Sequence, residues 1–276
     1  MTKVWFITGS ARGLGRSLTE AVLANGDIVA AGARDPDQLM DLKEPYPENL
    51  FPLKLDVTQH NEIENAVALT IQHFGRIDVL VNNAGFGIIG AAEAYSDEDV
   101  AKQLAINLYA PIAITRAVLP YLRKQRSGRI IQISSTGGRV GSPGLTIYQA
   151  AKFGLGGFSE ALAKEVKPLG ILVTVVEPGG MRTGMTENMD CAPMMEGYEE
   201  TVGGRIALFK GGKPIPASDP VKVAKVLIEL AEHPAPPVHL VLGSDAVTRV
   251  QLGDAAKNTE MEKWLEISNS TDAEMM

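Results

Sequence analysis

A tyrosine and a lysine lie four residues apart in a segment with helical periodicity, at Tyr148 and Lys152. This spacing places both side chains on one face of a helix, where they can meet. A phenol with a pKa of about 10 is a poor acid or base at neutral pH, but a neighbouring ammonium group favours the phenolate and lowers that pKa. The pair predicts acid–base chemistry, although such pairs are also common on solvated helices.

A serine upstream of this pair strengthens the interpretation. Ser135 lies thirteen residues before Tyr148, at the end of an apolar run that is typical of a buried strand. Open α/β sheets bind their ligands at the ends of strands. Ser135, Tyr148 and Lys152 therefore predict one catalytic site.

The first predicted strand ends in a glycine-rich turn, TGSARGLG at residues 8–15, and a helical pattern follows at once. The glycines permit a sharp turn and let a ligand touch the backbone. The N–H groups and the positive end of the helix dipole then face an anion such as a pyrophosphate. A plain glycine turn is the alternative, but the position between a strand and a helix favours dinucleotide binding.

Charge after the second predicted strand discriminates between dinucleotides. An acidic residue there would bind the ribose 2′-hydroxyl group of NAD and repel a 2′-phosphate. The sequence instead has Ala33 and Arg34, and Arg12 in the glycine loop is a second cation on the same side. Two guanidinium groups can hold a phosphate through forked hydrogen bonds, so NADP(H) is preferred over NAD(H). An ion pair between Arg34 and Asp35 is the alternative use of this arginine.

These residues need an ordered series of elements to position them. Seven short runs are apolar and rich in β-branched residues, namely Val4–Thr8, Ile28–Ala33, Phe51–Leu55, Ile77–Val81, Arg129–Ser134, Ile171–Val176 and Val238–Leu242. Amphipathic helical patterns lie between them, at Leu14–Asn25, Glu62–Phe74, Asp97–Gln125, Tyr148–Lys167 and Pro220–Glu232. Apolar strands that alternate with helices predict an α/β fold, a doubly wound parallel sheet of about seven strands with helices on both faces.

One domain accounts for residues 1–267. Residues 180–216 are rich in Gly, Met and Pro and have weak periodicity, and excursions of this length are often lids or binding loops. The polar residues 268–276 are predicted to form a disordered tail.

Composition excludes several classes of function. Lys and Arg number 26 against 33 Asp and Glu, a net charge of −7 without a basic block, so we expect no nucleic-acid partner. No continuous apolar run approaches the roughly 18 residues that span a bilayer, so we expect no membrane partner. The single cysteine, Cys191, favours a reducing, cytoplasmic location. The four histidines lack ligand spacing, so no metal site is expected.

Together these motifs resemble the short, single-domain branch of the short-chain dehydrogenase/reductase family, over about residues 3–183 and loosely to 250. The matching motifs are, in order, TGSARGLG at 8–15, LDVT at 55–58, NNAG at 82–85, Asn107 in INLYAP, Ser135, YQAAK at 148–152 and PGGMRT at 178–183. Their shared order and spacing make the resemblance specific. It implies a Rossmann-like fold and an oxidoreductase.

The resemblance implies a role for each catalytic residue. Tyr148 is the acid/base that exchanges a proton with the carbonyl or alcohol oxygen. Lys152 lowers the pKa of Tyr148 and holds the nicotinamide ribose. Ser135, which its spacing to Tyr148 favours over Ser134, binds the substrate oxygen, and Asn107 anchors a water-linked proton relay.

The cofactor contacts follow from the same motifs. Asp56 is expected beside the adenine, Asn83 beside the adenine-side ribose, and residues 178–183 along the nicotinamide. The residues expected to bind the cofactor are Gly9, Ser10, Arg12, Gly13, Leu14, Arg34, Asp56, Val57, Asn83, Ala84, Gly85, Tyr148, Lys152, Pro178, Gly179, Met181 and Thr183.

Methionines in the 180–216 segment bear on the substrate. The segment contains Met181, Met185, Met189, Met194 and Met195. Flexible thioethers adapt to varied apolar shapes, which suggests an apolar carbonyl or alcohol, although the same residues could simply pack a lid against the core. Arg205, Lys210 and Lys213 are expected to be solvated rather than to bind an anionic substrate.

The sequence thus predicts an NADP(H)-dependent carbonyl reductase or alcohol dehydrogenase. The family resemblance also implies that the protein forms a homodimer or homotetramer. The alternatives are an NADP(H)-sensing or scaffold protein without turnover, an NAD-dependent alcohol dehydrogenase, and a dehydratase or epimerase on the same fold. The complete set of Asn107, Ser135, Tyr148 and Lys152 argues against a protein that only senses the cofactor.

Overall fold

A seven-stranded parallel sheet forms the centre of the computed structural model, which describes residues 2–184, 189–210 and 218–273. The strands of the described residues are β1 Val4–Thr8, β2 Ile28–Ala33, β3 Leu50–Lys54, β4 Val79–Asn82, β5 Ile88–Ile89, β6 Gly128–Ile133, β7 Ile171–Pro178, β8 Asp190–Cys191 and β9 His239–Leu242. The large sheet has the order β3-β2-β1-β4-β6-β7-β9, and β5 pairs with β8 separately. The order reverses between β1 and β4, which is where a doubly wound sheet opens its ligand crevice.

Helices cover both faces of this sheet, as predicted. They are α1 Gly13–Ala24, α2 Met40–Lys43, α3 His60–Phe74, α4 Asp97–Leu104, α5 Ala110–Gln125, α6 Thr146–Val166, α7 Gly204–Lys210, α8 Pro220–Glu232, α9 Ser244–Lys263 and α10 Leu265–Asn269. Successive residues of β1 point to opposite faces: Ile7 packs with α1 and α8, and Phe6 packs with α3, α5 and α6. Because both faces are buried, the strands read as continuous apolar runs.

Element boundaries agree closely with the predictions where strong turn signals flank a run. The bounds of β1, β2 and α8 are those predicted, whereas β4 begins at Val79 rather than at Ile77. The C-terminal segment was not predicted to be helical, yet it forms α9 and α10, and α10 extends two residues into the predicted tail. The predicted loop at 180–216 contains β8 and α7.

The predicted single helix at 97–125 is interrupted by a π-helical turn at Ala105–Tyr109. Pro111 supplies the physical reason, because proline has no N–H to donate to the carbonyl four residues earlier, which is that of Asn107. The N–H of Ala110 donates to the carbonyl of Ala105, five residues earlier, which is the hydrogen bond of a π-helical turn. Single π turns often lie at functional sites, and this one carries Asn107.

The stretch Asp97–Gln125 is, among the described helices, the one candidate long and apolar enough to cross a membrane. The sequence prediction did not anticipate it, because it looked for an uninterrupted apolar run, and this stretch has charged residues between its apolar ones. Its apolar side packs on the sheet through Ala113, Ile114, Val118 and Leu122, all buried in the core. This packing is typical of the core helix of a globular protein.

Candidate active site

Tyr148, Lys152 and Ser135 lie together at the carboxyl end of β6. Tyr148 and Lys152 lie one turn apart near the start of α6, and the Lys152 Nζ atom is 5.7 Å from the centre of the Tyr148 ring. Lys152 Nζ donates a hydrogen bond to the carbonyl of Ile133, the last residue of β6, at 2.8 Å. Ser135 lies close enough to Tyr148 for its side chain to lower the pKa of the phenol. The structure therefore brings the three predicted residues into one cluster.

Ser135 opens a short helical turn, Thr136–Gly138, that packs against α6. Its Oγ atom accepts a hydrogen bond from the N–H of Gly137 at 3.0 Å. The hydroxyl of Ser134 is buried on the other side of the turn, where it contacts the Lys152 carbonyl at 3.5 Å. The geometry thus favours Ser135 over Ser134 as the partner of Tyr148.

Burial has opposite effects on the two titratable groups. It raises the pKa of the Tyr148 phenol, and the hydrogen bond with Ser135 partly opposes this effect. Burial lowers the pKa of Lys152 from 10.5 to about 8. Both shifts favour the neutral forms, as expected for groups removed from water. At neutral pH the lysine still carries its proton, and its charge favours a phenolate at Tyr148.

Asn107 is fully buried on the π-helical turn. Its Nδ2 atom donates to the carbonyls of Phe86 (2.8 Å) and Gln103 (3.0 Å), and its Oδ1 atom accepts from the Phe86 N–H at 3.3 Å. A Cβ atom at Gly85 would lie 3.1 Å from Asn107 Oδ1 and 3.8 Å from Lys152 Nζ. The absent side chain of Gly85 thus leaves open the space that Asn107 and Lys152 both face.

The glycine loop joins β1 to α1 and can approach a ligand closely. Gly9 has a φ of 69°, in the left-handed region that glycine adopts without strain. A Cβ atom at Gly15 would overlap the carbonyl oxygen of Gly9, so only glycine lets α1 begin this close to the strand. Ser10 uses both of its donors inside the protein, to the carbonyls of Ile7 and Gly32, and therefore shapes the turn.

The first turn of α1 fits a phosphate group. Its N-cap residue, Arg12, makes no capping hydrogen bond, and the turn has no acidic residue. The first N–H groups of a helix have no partners within the helix, so an anion can bind them. Leu14 anchors the turn because its side chain is buried in the core.

Residues after β4 form the opposite wall of the crevice, and Thr8 holds them there. Thr8 Oγ1 accepts the N–H groups of Asn83 and Ala84, both at 3.0 Å, and Asn83 Nδ2 donates to the Thr8 carbonyl at 2.9 Å. Val57 lies beside Ala84 and Thr8. The sequence prediction did not assign a role to Thr8, although it is the first residue of TGSARGLG.

The two arginines predicted to select NADP(H) are both exposed, Arg12 in the glycine loop and Arg34 directly after β2. Within the described residues neither Arg12 nor Arg34 forms an ion pair. The alternative pairing of Arg34 with Asp35 is not formed, because the Asp35 carboxylate accepts from the Asp37 N–H and from Gln38. Burial raises the pKa of Asp56, but hydrogen bonds from Thr58 and the charge of Arg34 outweigh it, and the net effect is a lowered pKa.

The segment after β7 extends to the glycine loop. Gly179 lies against the carboxylate of Asp245, and a side chain at this position would overlap it. Met181 pairs with Ser218 and packs on the core, and the Thr183 side chain lies 3.2 Å from the Cβ position of Gly13. The segment 178–183, which the resemblance places along the nicotinamide, thus reaches the glycine loop at Gly13.

The methionines of the 180–216 segment occupy different environments. Met189 is buried, and a Cβ atom at Gly87 would overlap its terminal methyl and lie 3.4 Å from the Tyr148 ring. Met194 is 48% exposed, and Met195 is half-buried. Met185 lies outside the described residues. Of the described methionines, Met189 is therefore the one that packs beside Tyr148.

The basic residues of this segment differ as well. Lys210 is exposed, as expected, and Lys213 lies outside the described residues. Arg205 was expected to be solvated, but it is half-buried, and its guanidinium lies 5.5 Å from the centre of the Phe209 ring. That expectation was wrong because the fold of α7 turns Arg205 toward the protein. Cys191 is exposed, and no group of three His, Cys, Asp or Glu side chains among the described residues could hold a metal ion.

Comparisons with known proteins identify the family of the chain. The family model described as short chain dehydrogenase matches residues 3–192. The chain is 43% identical over 270 residues to "Oxidoreductase BOA17" of Botryotinia fuckeliana, covering 97% of this chain and 98% of the relative. It is 37% identical over 232 residues to the 3-oxoacyl-[acyl-carrier-protein] reductase FabG of Thermotoga maritima, covering 83% and 90%.

Solved structures share the architecture. A short-chain dehydrogenase from Streptomyces avermitilis has a TM-score of 0.91 at 36% identity and covers 99% of this chain and 100% of its own. Two more distant structures show the fold alone. A Burkholderia cenocepacia short chain dehydrogenase in complex with NADP has a TM-score of 0.76 at 24% identity and covers 96% of this chain and 98% of its own. A Brucella melitensis 3-ketoacyl-(acyl-carrier-protein) reductase complexed with NADH has a TM-score of 0.75 at 23% identity and covers 87% of this chain and 96% of its own. The chain therefore belongs to the short-chain dehydrogenase family and is an oxidoreductase of that family.

Proposed function

We propose that the protein transfers a hydride between NADP(H) and the carbonyl carbon of an apolar ketone or aldehyde, or the matching alcohol, with Tyr148 as acid/base. The cluster of Ser135, Tyr148 and Lys152 beside the glycine loop is the observation that carries this proposal. When bound, the nicotinamide supplies or accepts the hydride, and the protein's residues position the reactants and move the proton.

Each side chain of the cluster has a role that fits its surroundings. The Tyr148 hydroxyl delivers a proton to the substrate oxygen in reduction and removes it in oxidation. Ser135 lies close enough to Tyr148 to lower the pKa of its phenol, so a carbonyl oxygen placed between the two hydroxyl groups receives two donors, which stabilises developing negative charge. Lys152 Nζ donates one hydrogen bond to the carbonyl of Ile133, and its two other N–H groups can bind ribose hydroxyl groups. Asn107 faces the same open space as Lys152 and anchors the proton relay.

The experiment that tests this proposal follows NADPH oxidation over a panel of aliphatic and aromatic ketones, aldehydes and diketones. Turnover of at least one of these carbonyl compounds is expected. Tight NADPH binding without turnover of any carbonyl in the panel, or of the matching alcohols with NADP⁺, would contradict it in favour of a cofactor sensor.

Arg12 and Arg34 are proposed to hold the 2′-phosphate of NADP(H). Their exposure and lack of ion-pair partners among the described residues leave both guanidinium groups available to an anion. Replacing both with Gln is expected to raise the Kd for NADPH ten- to hundredfold, as for the loss of charge-assisted hydrogen bonds, and to leave the Kd for NADH unchanged. Fluorescence titration of both cofactors measures this. Arg116→Gln on the exposed face of α5 is the matched control, and a wild-type preference for NADH would disprove the assignment.

Met189 is proposed to line the substrate site. Its contact with the region of Gly87 and Tyr148 supports this role, since a substrate carbonyl at Tyr148 must extend along the same surface. Met189→Ala removes apolar contact area and is expected to raise KM for bulky apolar ketones about tenfold, with a smaller change in kcat. Steady-state kinetics with small and bulky ketones measures it. The control is Met194→Ala, at an exposed methionine of the same segment, and equal effects of the two changes would count against this role.

A cytoplasmic location and a homodimer or homotetramer are part of the proposal. Tyr109 on the turn before α5 and Phe153 on α6 are 65% and 42% exposed, which supports an interface on the predicted helices.

A further inference from the structure

Arg205 lies at the edge of the apolar cluster beside Tyr148. This cluster is formed by Ile89, Leu145 and Met189, with Tyr148, Ile206 and Phe209 packed against them. The Arg205 side chain packs over the turn before α6, where its Cγ atom is 3.4 Å from the Cβ position of Gly144, and its guanidinium lies near the Phe209 ring. A long substrate whose carbonyl is at Tyr148 would meet Arg205 as it leaves the cluster.

Arg249 is a second arginine, on α9. It lines an open cleft of about 480 Å³ together with Ser244, Asp245, Thr248 and Leu252. The cleft lies at the carboxyl edge of the sheet, because α9 begins directly after β9. It also borders the predicted nicotinamide segment, since Asp245 Oδ2 accepts the N–H of Gly180 at 3.2 Å.

Arg249 is close enough for its charge to affect Arg205. Burial lowers the pKa of Arg205, and the positive charge of Arg249 lowers it further. Neither arginine forms an ion pair or a side-chain hydrogen bond with another described residue. Asp245, the one acidic group that lines the cleft, is already hydrogen-bonded to the backbone of Gly180. Neither guanidinium group is neutralised by an ion pair with a carboxylate among the described residues, so both keep donors for an anion.

We propose that Arg205 and Arg249 bind the anionic end of the substrate, a carboxylate or phosphate at the end of an aliphatic chain that bears the carbonyl. This inference rests on the proposed function and narrows it. The aliphatic chain packs against the apolar cluster, and Tyr148 donates a hydrogen bond to the carbonyl oxygen. The guanidinium groups bind the anionic group through forked hydrogen bonds. An uncharged substrate would leave the guanidinium groups without these hydrogen bonds.

Binding of unreactive ligands tests this inference independently of turnover. Isothermal titration calorimetry with the NADPH-loaded protein compares decanoate with decanamide, which has the same chain without the charge. Decanoate is expected to bind at least tenfold more tightly than decanamide. Arg205→Gln or Arg249→Gln is expected to lower the affinity for decanoate about tenfold, which is the contribution of one charge-assisted hydrogen bond. Decyl phosphate distinguishes a phosphate from a carboxylate as the preferred anion.

Arg123→Gln is the control for net charge, because Arg123 is exposed on α5 and has no ion-pair partner among the described residues. Equal affinity of the wild-type protein for decanoate and decanamide would overturn the inference, and so would equal losses in all three variants. Arg249 lines a surface cleft, so Arg249→Gln remains informative if Arg205→Gln fails to fold.

Measurements of turnover distinguish a failure of this inference from a failure of the proposed function. Keto acids with three to eight carbons between carbonyl and carboxylate are compared with their methyl esters. Reduction of the esters as efficiently as the acids would support the reductase and reject the anion site. Preferential binding of decanoate without reduction of any keto acid would keep the anion site and reject the reductase.

Discussion

Tyr148→Phe is expected to lower kcat/KM for carbonyl reduction at least a thousandfold while the Kd for NADPH changes less than about twofold. The substitution removes one hydroxyl and keeps the ring that packs with Met189 and Leu145. General acid–base catalysis by one side chain contributes about 10²–10⁴ in rate, and Tyr148 also shares the substrate oxygen with Ser135. Lys152 does not replace this hydroxyl, since its Nζ atom lies 5.7 Å from the centre of the Tyr148 ring and is hydrogen-bonded to the carbonyl of Ile133.

Single-turnover kinetics with the NADPH-loaded protein measures the chemical step directly, and fluorescence titration measures cofactor affinity. Tyr121→Phe is the matched control, because Tyr121 is a partly buried tyrosine of α5 on the far side of the core. Residual activity within tenfold of the wild type would show that another group protonates the substrate. A parallel loss of NADPH affinity would instead indicate that the hydroxyl serves to hold the cofactor.

Strands and the catalytic helix were predictable from the sequence because local signals agree with the tertiary structure. The bounds of β1 and β2 were predicted correctly, since each is an apolar run with no polar interruption and a glycine turn follows β1. The cluster at Tyr148 was also predictable. Helical spacing sets the distance to Lys152, and the end of β6 brings Ser135 to the same edge of the sheet.

Features that depend on contacts between distant segments were not predictable in the same way. The π-helical turn at Ala105–Tyr109 was missed because its residues are ordinary helix formers, and the missing donor of Pro111 acts on a residue four positions earlier. The α9 helix is polar along most of its length and buries only Ala246 and Val250, so it lacks the apolar stripe by which amphipathic helices are recognised. Arg205 and Arg249 lie on α7 and α9, more than 40 residues apart in the sequence, so no local pattern relates them.

Lys152→Met is expected to abolish turnover and yet stabilise the cofactor-free protein by about 2 kcal/mol at pH 7. Burial lowers the pKa of Lys152 from 10.5 to about 8. A shift of that size corresponds to roughly 3 kcal/mol of unfavourable burial of the charged form. Methionine fills a similar volume without the charge, and the lost hydrogen bond to the Ile133 carbonyl offsets about 1 kcal/mol of the gain.

The stabilisation has a characteristic pH dependence. Between pH 8 and 10.5 the unfolded chain still holds a proton that the folded protein has released, so wild-type stability rises with pH in this window. The methionine variant lacks this contribution. The difference in unfolding free energy is therefore expected to be largest below pH 8 and to shrink as the pH approaches 10.5. Urea denaturation of both proteins at a series of pH values from 6.5 to about 9.5 measures it.

Lys164→Met is the matched control, because Lys164 is exposed on the same helix and its replacement should change stability little at any pH. A methionine variant less stable than wild type at pH 7 would mean that Lys152 is retained for folding. The expected result would mean that Lys152 lowers the stability of the protein and serves the proposed acid–base role of Tyr148. Its buried ammonium group destabilises the cofactor-free protein, and the same charge favours the phenolate form of Tyr148.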